Sequence, residues 1–417
     1  MKASGKSICL VAQGMREPNC RLQPWRYLLE VARGLACSGH TVTILTDSVP
    51  EDTGPEDTGL GSIPRGAAGP EVVDGVSVRR LASVSSPRRG ANRELERAIG
   101  VLDPQVMIWH LGLTSLLHQS VAPAEGRLSV GVFTSPLYRI GELSRLGLLK
   151  LARGYQLSGL HLIGSLLPAW LLRREDIESR LSALVVQTQT TRRQLLERRL
   201  WRGRLEVIPP AVDQAWLACQ GDREAARRAL GLSSTDVVVV YFGPPEPLRG
   251  LPTLLRAFAL AYPQDTRLQL LVLPRQGDGR PAALEHHLRA LGIAQVTRLV
   301  DGFMTPEQLV QHVSVGDLVA LPFELLPSDA PLSPLEARAL GKPLVTTRVA
   351  CLPELACGED CYLAEPTDPV SLAQTILRSA ARLSCDPPQV RDHSPAGKTA
   401  RTWRAVGEAW SHLIQNL

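Results

Sequence analysis

The sequence predicts an α/β protein made of two doubly wound parallel-sheet halves, and three observations lead to this fold class. The chain has 417 residues, whereas a single hydrophobic core stops growing at about 250–300 residues, so two domains are expected. Short apolar, β-branched runs alternate with longer segments of helical periodicity, which is typical of parallel α/β architecture. The alternation starts again after an extended segment at 209–213, which places a boundary near residue 209.

The first half opens with a strand, a helix and a second strand. Apolar periodicity predicts a strand at Ser7–Ala12, a helix at Pro24–Ser38 that ends before Gly39, and a strand at His40–Thr46. The Gly/Pro/acidic stretch 50–75 contains the tandem copy PEDTG-PEDTG, which favours an exposed loop. Further strands are predicted at Val106–Trp109, Leu128–Phe133, Ala183–Gln187 and Leu205–Ile208.

The second half repeats the strand–helix alternation. Strands are predicted at Val237–Phe242, Leu268–Leu273, Val296–Leu299, Leu318–Leu321 and Pro343–Thr346, and helices at Pro252–Ala261, Ala283–Leu291, Pro306–Val313 and Pro334–Leu340. A last helix, Ala400–Gln415, follows a Pro-rich stretch long enough to let it pack elsewhere. The predicted domains are therefore 1–208 and 209–390, with a last helical segment in 391–417.

Composition excludes several classes of protein. With 44% hydrophobic residues and a net charge of +5, the chain is neither disordered nor fibrous. The most apolar run, 157–172, is interrupted by His161 and Pro168 and is shorter than the roughly 20 residues of a membrane span. The start of the chain has no signal-peptide core, so we expect a cytoplasmic protein. Cys351, Cys357 and Cys361 lack the paired spacing of zinc sites, and no metal is expected.

The positive charge is concentrated in one part of the first half. Residues 138–205 contain 13 basic and 5 acidic side chains, a net charge of +8, so the rest of the chain carries −3. The Leu-rich, Arg-flanked part at 139–174 has two interpretations. It is typical of an interfacial helix on an anionic membrane, here the inner face of the cell membrane, or of a covering helix with snorkelling arginines. Nucleic-acid binding is not expected, because aromatic stacking residues are few there.

Two strand-to-helix junctions in the second half carry candidate chemistry, since open α/β sheets bind ligands beyond the carboxyl ends of their strands. After the strand at Val237–Phe242 come Gly243, Pro244 and then Arg249, just before a helix. A guanidinium beside a helix N-terminus suits a phosphate, although the same pattern also fits a structural turn with a solvated arginine.

The second junction follows the strand at Leu318–Leu321. Pro334 is the favoured first residue of a helix and Ser333 its predicted N-cap, which places Glu336 in the first helical turn. A carboxylate there could simply favour the helix dipole, or it could accept hydrogen bonds from sugar hydroxyls. Neither junction indicates a ligand site by itself. The two together, in this order within one half, are stronger evidence for one.

These residues resemble the donor-binding domain of GT-B glycosyltransferases of family 4 (glycosyl transferases group 1). The matching strings are LEVIPPAVD (205–213), VVVVYFGPPEPLRGLPTLLRAFA (237–259), VSVGDLVALPF (313–323), SPLEARALGKPLVTTRVACLPEL (333–355) and CYLAEPTDPVSLAQTI (361–376). The first half resembles the acceptor domain more weakly, at 28–47, 104–112 and 181–196. The resemblance implies two Rossmann-like domains facing across a cleft, with the last helix, in 391–417, crossing back to pack on the first domain.

The resemblance also implies roles for individual residues. Arg249 takes the place of the basic residue that binds the donor diphosphate, Glu336 that of the second Glu of an E-x7-E motif that holds the ribose, and His110 that of a histidine near the donor sugar. These three are the expected catalytic residues. The expected donor-binding residues are Gly243, Pro244, Arg249, Ser328, Asp329, Leu332, Ser333 and Glu336.

The sequence departs from the family pattern at several of these positions. Pro244 replaces an arginine, Ser328 stands where the first Glu of E-x7-E is expected, with Asp329 beside it, and Thr134 stands where a histidine is common. The loop before Glu336 is also two residues longer than usual. A diverged subgroup and a loss of catalysis both explain these departures.

The resemblance implies a retaining, metal-independent hexosyltransferase without a cofactor. Such an enzyme moves a sugar from a nucleoside-diphosphate donor to a hydroxyl of a glycan or lipid-linked acceptor. The alternatives are a catalytically impaired nucleotide-sugar or glycan-binding protein and, less favoured, a nucleotide-sugar 2-epimerase. An NAD-dependent enzyme is disfavoured, because neither half has G-x-G-x-x-G after its first strand.

Overall fold

The computed structural model contains two sheets, one wholly and one mainly of parallel strands, with helices on both faces. It describes residues 5–16, 20, 22–48, 71–73, 75–85, 92–113, 121, 126–146, 164, 167–218, 222–274, 281–302, 304–326, 328–385 and 401–417. The fold class predicted from the sequence is confirmed, and the tandem PEDTG copy lies outside the described residues.

The first sheet has eight strands. They are β1 Ser7–Val11, β2 Thr41–Asp47, β3 Glu71–Val73, β4 Val76–Leu81, β5 Val106–Leu111, β6 Leu128–Phe133, β7 Ala183–Val186 and β8 Leu205–Val207. Their order is β3-β4-β2-β1-β5-β6-β7-β8. All neighbouring pairs are parallel except β3 with β4, so an antiparallel hairpin forms one edge of a doubly wound sheet.

The second sheet has six strands, all parallel. They are β9 Val237–Gly243, β10 Leu268–Pro274, β11 Thr297–Leu299, β12 Leu318–Leu321, β13 Leu344–Thr347 and β14 Cys361–Ala364, in the order β11-β10-β9-β12-β13-β14. Every residue of β9 is buried, as expected for a central strand covered by helices on both faces.

Fifteen helices are described between and after these strands. Those before residue 209 are α1 Trp25–Cys37, α2 Arg93–Leu102, α3 Ile140–Ser144, α4 Ala169–Leu172, α5 Glu175–Glu178 and α6 Gln189–Glu197. Those of the second half are α7 Gln214–Leu217, α8 Arg223–Ala229, α9 Leu251–Ala261, α10 Pro281–Ala290, α11 Pro306–Ser314, α12 Leu332–Ala339, α13 Leu352–Leu355 and α14 Pro369–Cys385. The last is α15, Trp403–Gln415.

Helix α15 returns to the first sheet and packs on α1. A β-carbon on Gly407 would lie 2.6 Å from the Cα of Gly34, so the two backbones can approach only because both residues are glycine. The indole of Trp410 donates to the Tyr27 hydroxyl at 3.0 Å. The predicted crossing of the last helix to the first half is therefore confirmed.

One difference from the predicted elements lies at the edge of the first sheet. Strand β3, Glu71–Val73, lies in the stretch 50–75 that was predicted to be a loop. The hairpin signal was present, because Gly75, with a φ of +79°, separates two runs of β-branched residues. The domain bounds 1–208, 209–390 and 391–417 stay predictions. Among the described residues, no helix is long and apolar enough to cross a bilayer.

Candidate donor site between the two sheets

The carboxyl ends of the two sheets face each other. The segment that follows β12, up to the start of α12, contacts the segments that follow β6 and β7: the backbone N–H of Asp329 donates to the carbonyl of Thr134 at 2.6 Å. The strand ends of both halves therefore border one cleft, where ligands of open α/β sheets bind.

Arg249 lies at the second-domain side of this cleft. Its guanidinium donates to the Ser333 hydroxyl at 3.1 Å and stacks over the Phe323 ring at 4.9 Å from the centroid. These contacts join the two junctions predicted from the sequence. Because a stacked and hydrogen-bonded guanidinium has few rotamers left, its charge has a fixed position at the strand ends.

Two glycines allow close packing here, one against the arginine and one against the chain after β12. A β-carbon on Gly243, whose φ is +128°, would lie 2.8 Å from an Arg249 terminal nitrogen, and one on Gly250 would lie 1.9 Å from the Pro322 carbonyl oxygen. Gly250, with a φ of +78°, also caps α9. Pro244 has a structural contact as well, since its carbonyl accepts from the Tyr241 hydroxyl at 3.0 Å.

The start of α12 differs from the predicted one. The helix begins at Leu332 with the extended Pro331 as N-cap and no side-chain cap bond, so Ser333 is not the cap and Glu336 is not in the first turn. The Ser333 hydroxyl accepts from Arg249 instead. Leu332 is half-buried, while Ser333 and Glu336 are buried one turn apart on the same helix face.

Ser328 and Asp329 lie where the second domain meets the first. Both are buried, and the Ser328 hydroxyl has no hydrogen-bond partner among the described residues. The Asp329 carboxylate accepts hydrogen bonds from the backbone N–H of Gln187 and from the hydroxyls of Thr188 and Thr191. Asp329 was predicted to bind the donor, but here both carboxylate oxygens accept from the first domain.

His110 lies near the end of β5 and is half-buried. Its Nε2 is 2.9 Å from the Thr134 hydroxyl. Burial lowers the pKa of His110 to about 4, so the ring is neutral near pH 7 and offers hydrogen bonds rather than a charge. Thr134, where the family often has a histidine, is thus the direct neighbour of His110.

Two glutamines of the first domain with buried, unpartnered amides were missed from the sequence. Both polar atoms of the Gln187 side-chain amide, and both of Gln23, are buried without a hydrogen-bond partner among the described residues, as is the Nε of Arg249. Buried polar atoms in folded proteins are almost always hydrogen-bonded, often to water or ligand. For Gln187, the sequence did offer a signal, because this glutamine directly follows the buried strand β7.

A cavity of about 460 Å³ lies beside the cleft, between the domains. Its lining includes Arg139 and Arg145 around α3, Arg193 on α6 and Arg348 after β13. Arg145 and Arg348 each lie within 3.5 Å of Glu365. The rim is therefore rich in arginine but partly neutralised by glutamates.

The segment 139–174 is described only in part, because 147–163, 165 and 166 lie outside the described residues. Leu143 and Leu146 belong to the hydrophobic core of the second domain, and Leu172 is buried in the first. On α4, in contrast, the side chain of Trp170 is 77% exposed. The described part of this segment thus has both buried and exposed apolar residues. No group of three metal-binding side chains occurs within the described ranges.

Two α/β domains with facing strand ends and a returning C-terminal helix define a GT-B protein. Residues 24–211 match the family described as "Glycosyl transferase 4-like domain", and residues 236–382 match "Glycosyl transferases group 1". The chain belongs to the GT-B glycosyltransferase family of the family 4 type.

Curated relatives include D-inositol 3-phosphate glycosyltransferases. That of Geodermatophilus obscurus is 32% identical over 261 residues, 60% of this chain and 56% of the relative. That of Corynebacterium efficiens is 32% identical over 219 residues, 50% of each chain. This chain thus aligns with about half the length of the curated relatives it matches.

Solved structures share the fold at low identity. Sucrose-phosphate synthase from Thermosynechococcus elongatus has a TM-score of 0.67 at 15% identity, with 99% of this chain and 98% of that one covered. Anabaena Alr3699/HepE in complex with UDP-glucose has a TM-score of 0.64 at 14% identity, with 99% and 100% covered. At these identities the similarity shows the fold alone.

Proposed function

We propose that the chain is a retaining glycosyltransferase that moves a sugar from a nucleoside-diphosphate donor to a hydroxyl of a glycan or lipid-linked acceptor. The observation that carries this proposal is the position of Arg249, whose guanidinium is held at the strand ends by Gly243, Phe323 and Ser333. The relatives' names support glycosyl transfer, and a GT-B neighbour was solved with UDP-glucose.

The chemistry follows from where charge develops. As the bond between the sugar and the diphosphate breaks, negative charge grows on the leaving diphosphate. A fixed guanidinium and the N-termini of α9 and α12 stabilise that charge in the transition state more than in the ground state. The proposal needs no metal ion or cofactor, because these groups supply the positive potential. Glu336, one turn into α12, accepts hydrogen bonds from the ribose.

Retention follows if the acceptor attacks from the face that the diphosphate leaves. The leaving diphosphate then takes the proton of the acceptor hydroxyl as the new glycosidic bond forms. A neutral His110, oriented by Thr134, donates or accepts a hydrogen bond to the sugar rather than acting as the base. Orientation of the two reactants in the cleft supplies a further part of the rate enhancement.

The donor assignment is tested by release of nucleoside diphosphate from a panel of UDP-, GDP-, ADP- and TDP-sugars, with and without candidate acceptors. We expect release from one nucleotide class, with loss in Arg249→Ala and Glu336→Ala. Equal rates in wild type and both variants would overturn the site assignment. Retention is checked by the anomeric configuration of the product in its NMR spectrum.

For the acceptor, we propose a lipid-linked or membrane-proximal molecule, with the protein in the cytoplasm and peripheral on the anionic inner face of the cell membrane. The +8 charge of 138–205 and the exposed Trp170 on α4 support this, since an aromatic ring beside arginines favours a headgroup interface. Sedimentation with anionic liposomes at low salt tests it. No sedimentation, or equal sedimentation of Trp170→Ser, would contradict the proposal.

A second candidate function is a nucleotide-sugar-binding protein with impaired catalysis. Its support is specific: Ser328 stands at the first acidic position of the motif, and the neighbouring carboxylate of Asp329 is bonded to the first domain. Binding of a nucleotide sugar by calorimetry, with no hydrolysis or transfer over extended incubation, favours this candidate over the transferase.

A further inference from the structure

Two carboxylates of the second domain accept hydrogen bonds from residues at the start of α6, a helix of the first domain. Asp329, which is fully buried, accepts from the Gln187 backbone N–H at 2.9 Å and from the Thr188 hydroxyl at 2.7 Å, and it also accepts from the Thr191 hydroxyl. Thr188 is the N-cap of α6. Asp329 therefore joins the segment before α12 to the start of a helix in the other domain.

Glu354 makes a second contact of this kind, from helix α13. Its carboxylate accepts from the backbone N–H of Gln189 at 2.8 Å, and from the backbone N–H and the hydroxyl of Thr190, both at 2.7 Å. The first amides of a helix have no partner within the helix and favour negative charge. Here those amides are satisfied by a carboxylate from the opposite domain.

A third contact across the cleft involves no charge. The Tyr138 hydroxyl accepts from the backbone N–H of Leu326 at 2.6 Å and donates to the carbonyl of the same residue at 3.2 Å. Tyr138 thus contacts the segment after β12 at Leu326, and the first residues of α6 contact it at Asp329. This chain segment therefore has a defined position relative to the ends of β6 and β7.

The same bonds connect the residues of the proposed reaction. The hydroxyl of Thr134 is bonded to His110, and its carbonyl accepts from Asp329. Four residues after Asp329, Ser333 accepts from Arg249. The distance between His110 in one domain and Arg249 in the other therefore depends on where Asp329 docks.

We propose that Asp329 and Glu354 are positioning residues, which dock the second domain on the start of α6 and so set the relative position of His110 and Arg249 for transfer. The inference rests on the proposed function for its kinetic consequence, but not for the docking itself. It gives Asp329 a role different from the donor binding expected from its place beside the first position of the motif.

The test compares full-length wild type with Asp329→Asn, Glu354→Gln and the double variant, which keep side-chain volume and remove the negative charge. The control is Asp222→Asn, because Asp222 caps α8 within the second domain, with Ala225 N–H 3.0 Å away. Small-angle X-ray scattering reports the domain arrangement, calorimetry reports the Kd for the nucleoside diphosphate, and steady-state kinetics report kcat and KM.

We expect a larger radius of gyration in the double variant without donor, an unchanged Kd for the nucleoside diphosphate, and a kcat lowered by about tenfold or more, since misplacement by about 1 Å can cost 10²-fold. The single Glu354→Gln should show a smaller effect of the same kind, and Asp222→Asn none. Where the double variant fails to fold by circular dichroism, the two single variants decide.

Two outcomes overturn the proposal. One is unchanged scattering together with unchanged kcat in the variants. The other is a weakened Kd with unchanged scattering, which identifies Asp329 as a donor ligand. If wild type neither binds nor turns over any nucleotide sugar, the proposed function fails, whereas the scattering comparison still tests the docking.

Discussion

The two sides of the cleft differ in charge although both are ends of parallel sheets. The second domain presents a guanidinium, Arg249, and a buried carboxylic side chain, Glu336, on adjacent elements. The first presents the neutral His110, Thr134 and the buried amide of Gln187. A guanidinium suits a charged ligand portion, whereas neutral hydrogen-bonding groups suit uncharged hydroxyls, and this difference agrees with the proposed binding of the diphosphate by the second domain.

The largest effect is expected when the fixed charge of Arg249 is removed, because this charge distinguishes the second-domain side of the cleft from the first. Arg249→Ala should lower kcat/KM by about 10²–10³-fold, the loss typical of a group that stabilises developing charge. Arg256→Ala is the matched control, since Arg256 lies on α9, the helix that begins just after Arg249, and is exposed. Equal losses in the two variants would show that helix stability, not diphosphate binding, is measured.

The second change removes the carboxylate of Glu336, which also lies on the second-domain side of the cleft. Glu336→Ala should raise the donor KM by about 10–10²-fold, the equivalent of a lost hydrogen bond to a charged group of about 1.5–3 kcal/mol. Glu285→Ala, on the exposed face of α10, is the control. A loss confined to kcat, with the nucleotide Kd unchanged, would contradict ribose binding.

A third change displaces the guanidinium without removing it. The β-carbon of Gly243→Ala would lie 2.8 Å from Arg249, so we expect about tenfold lower kcat/KM with the fold intact. Gly231→Ala is the control, because Gly231 also has a positive φ but no atom within 4 Å of the added carbon. If both alanines reduce kcat/KM equally, backbone strain rather than arginine position is responsible.

The smallest expected effect concerns His110, on the uncharged side of the cleft. Burial lowers the pKa of His110 to about 4 from its usual value of 6.5, so the unfolded chain binds a proton there between about pH 4 and 6.5 while the folded protein does not. Stability should therefore fall as pH falls through that window, by less in His110→Gln. Over pH 5.5–8, the ratio of kcat/KM between wild type and His110→Gln should vary less than about twofold. An inflection near pH 6.5 that is present only in wild type would contradict a neutral His110.

Most strands were predictable because their signal is local. Strands β6 and β12 were predicted with the observed bounds, Leu128–Phe133 and Leu318–Leu321, since continuous apolar runs with turn residues at their ends identify buried strands. The start of α12 was predicted wrongly. Ser333 was predicted to be the N-cap because serine directly precedes Pro334. Its hydroxyl instead accepts a hydrogen bond from Arg249, which is far away in sequence.

The candidate site, like the fold, could be predicted only where its signal is local in the chain. Arg249 and Glu336 were identified because each lies at a strand-to-helix junction, a position readable from order along the chain. Gln187 and the docking role of Asp329 were not, because their surroundings are formed by residues more than 100 positions away.

The sequence by itself determined the α/β class, the two halves, the last helix and the candidate residues of each strand end, because hydrophobic periodicity and junction residues act over a few positions. The tertiary structure decided which of those residues meet. Asp329 and Glu354 dock on α6, and Arg249 reaches Ser333, only when the two sheets and their connections are placed in space. Hydrogen bonds across a cleft depend on the relative orientation of two domains, for which no local pattern in the chain provides a signal.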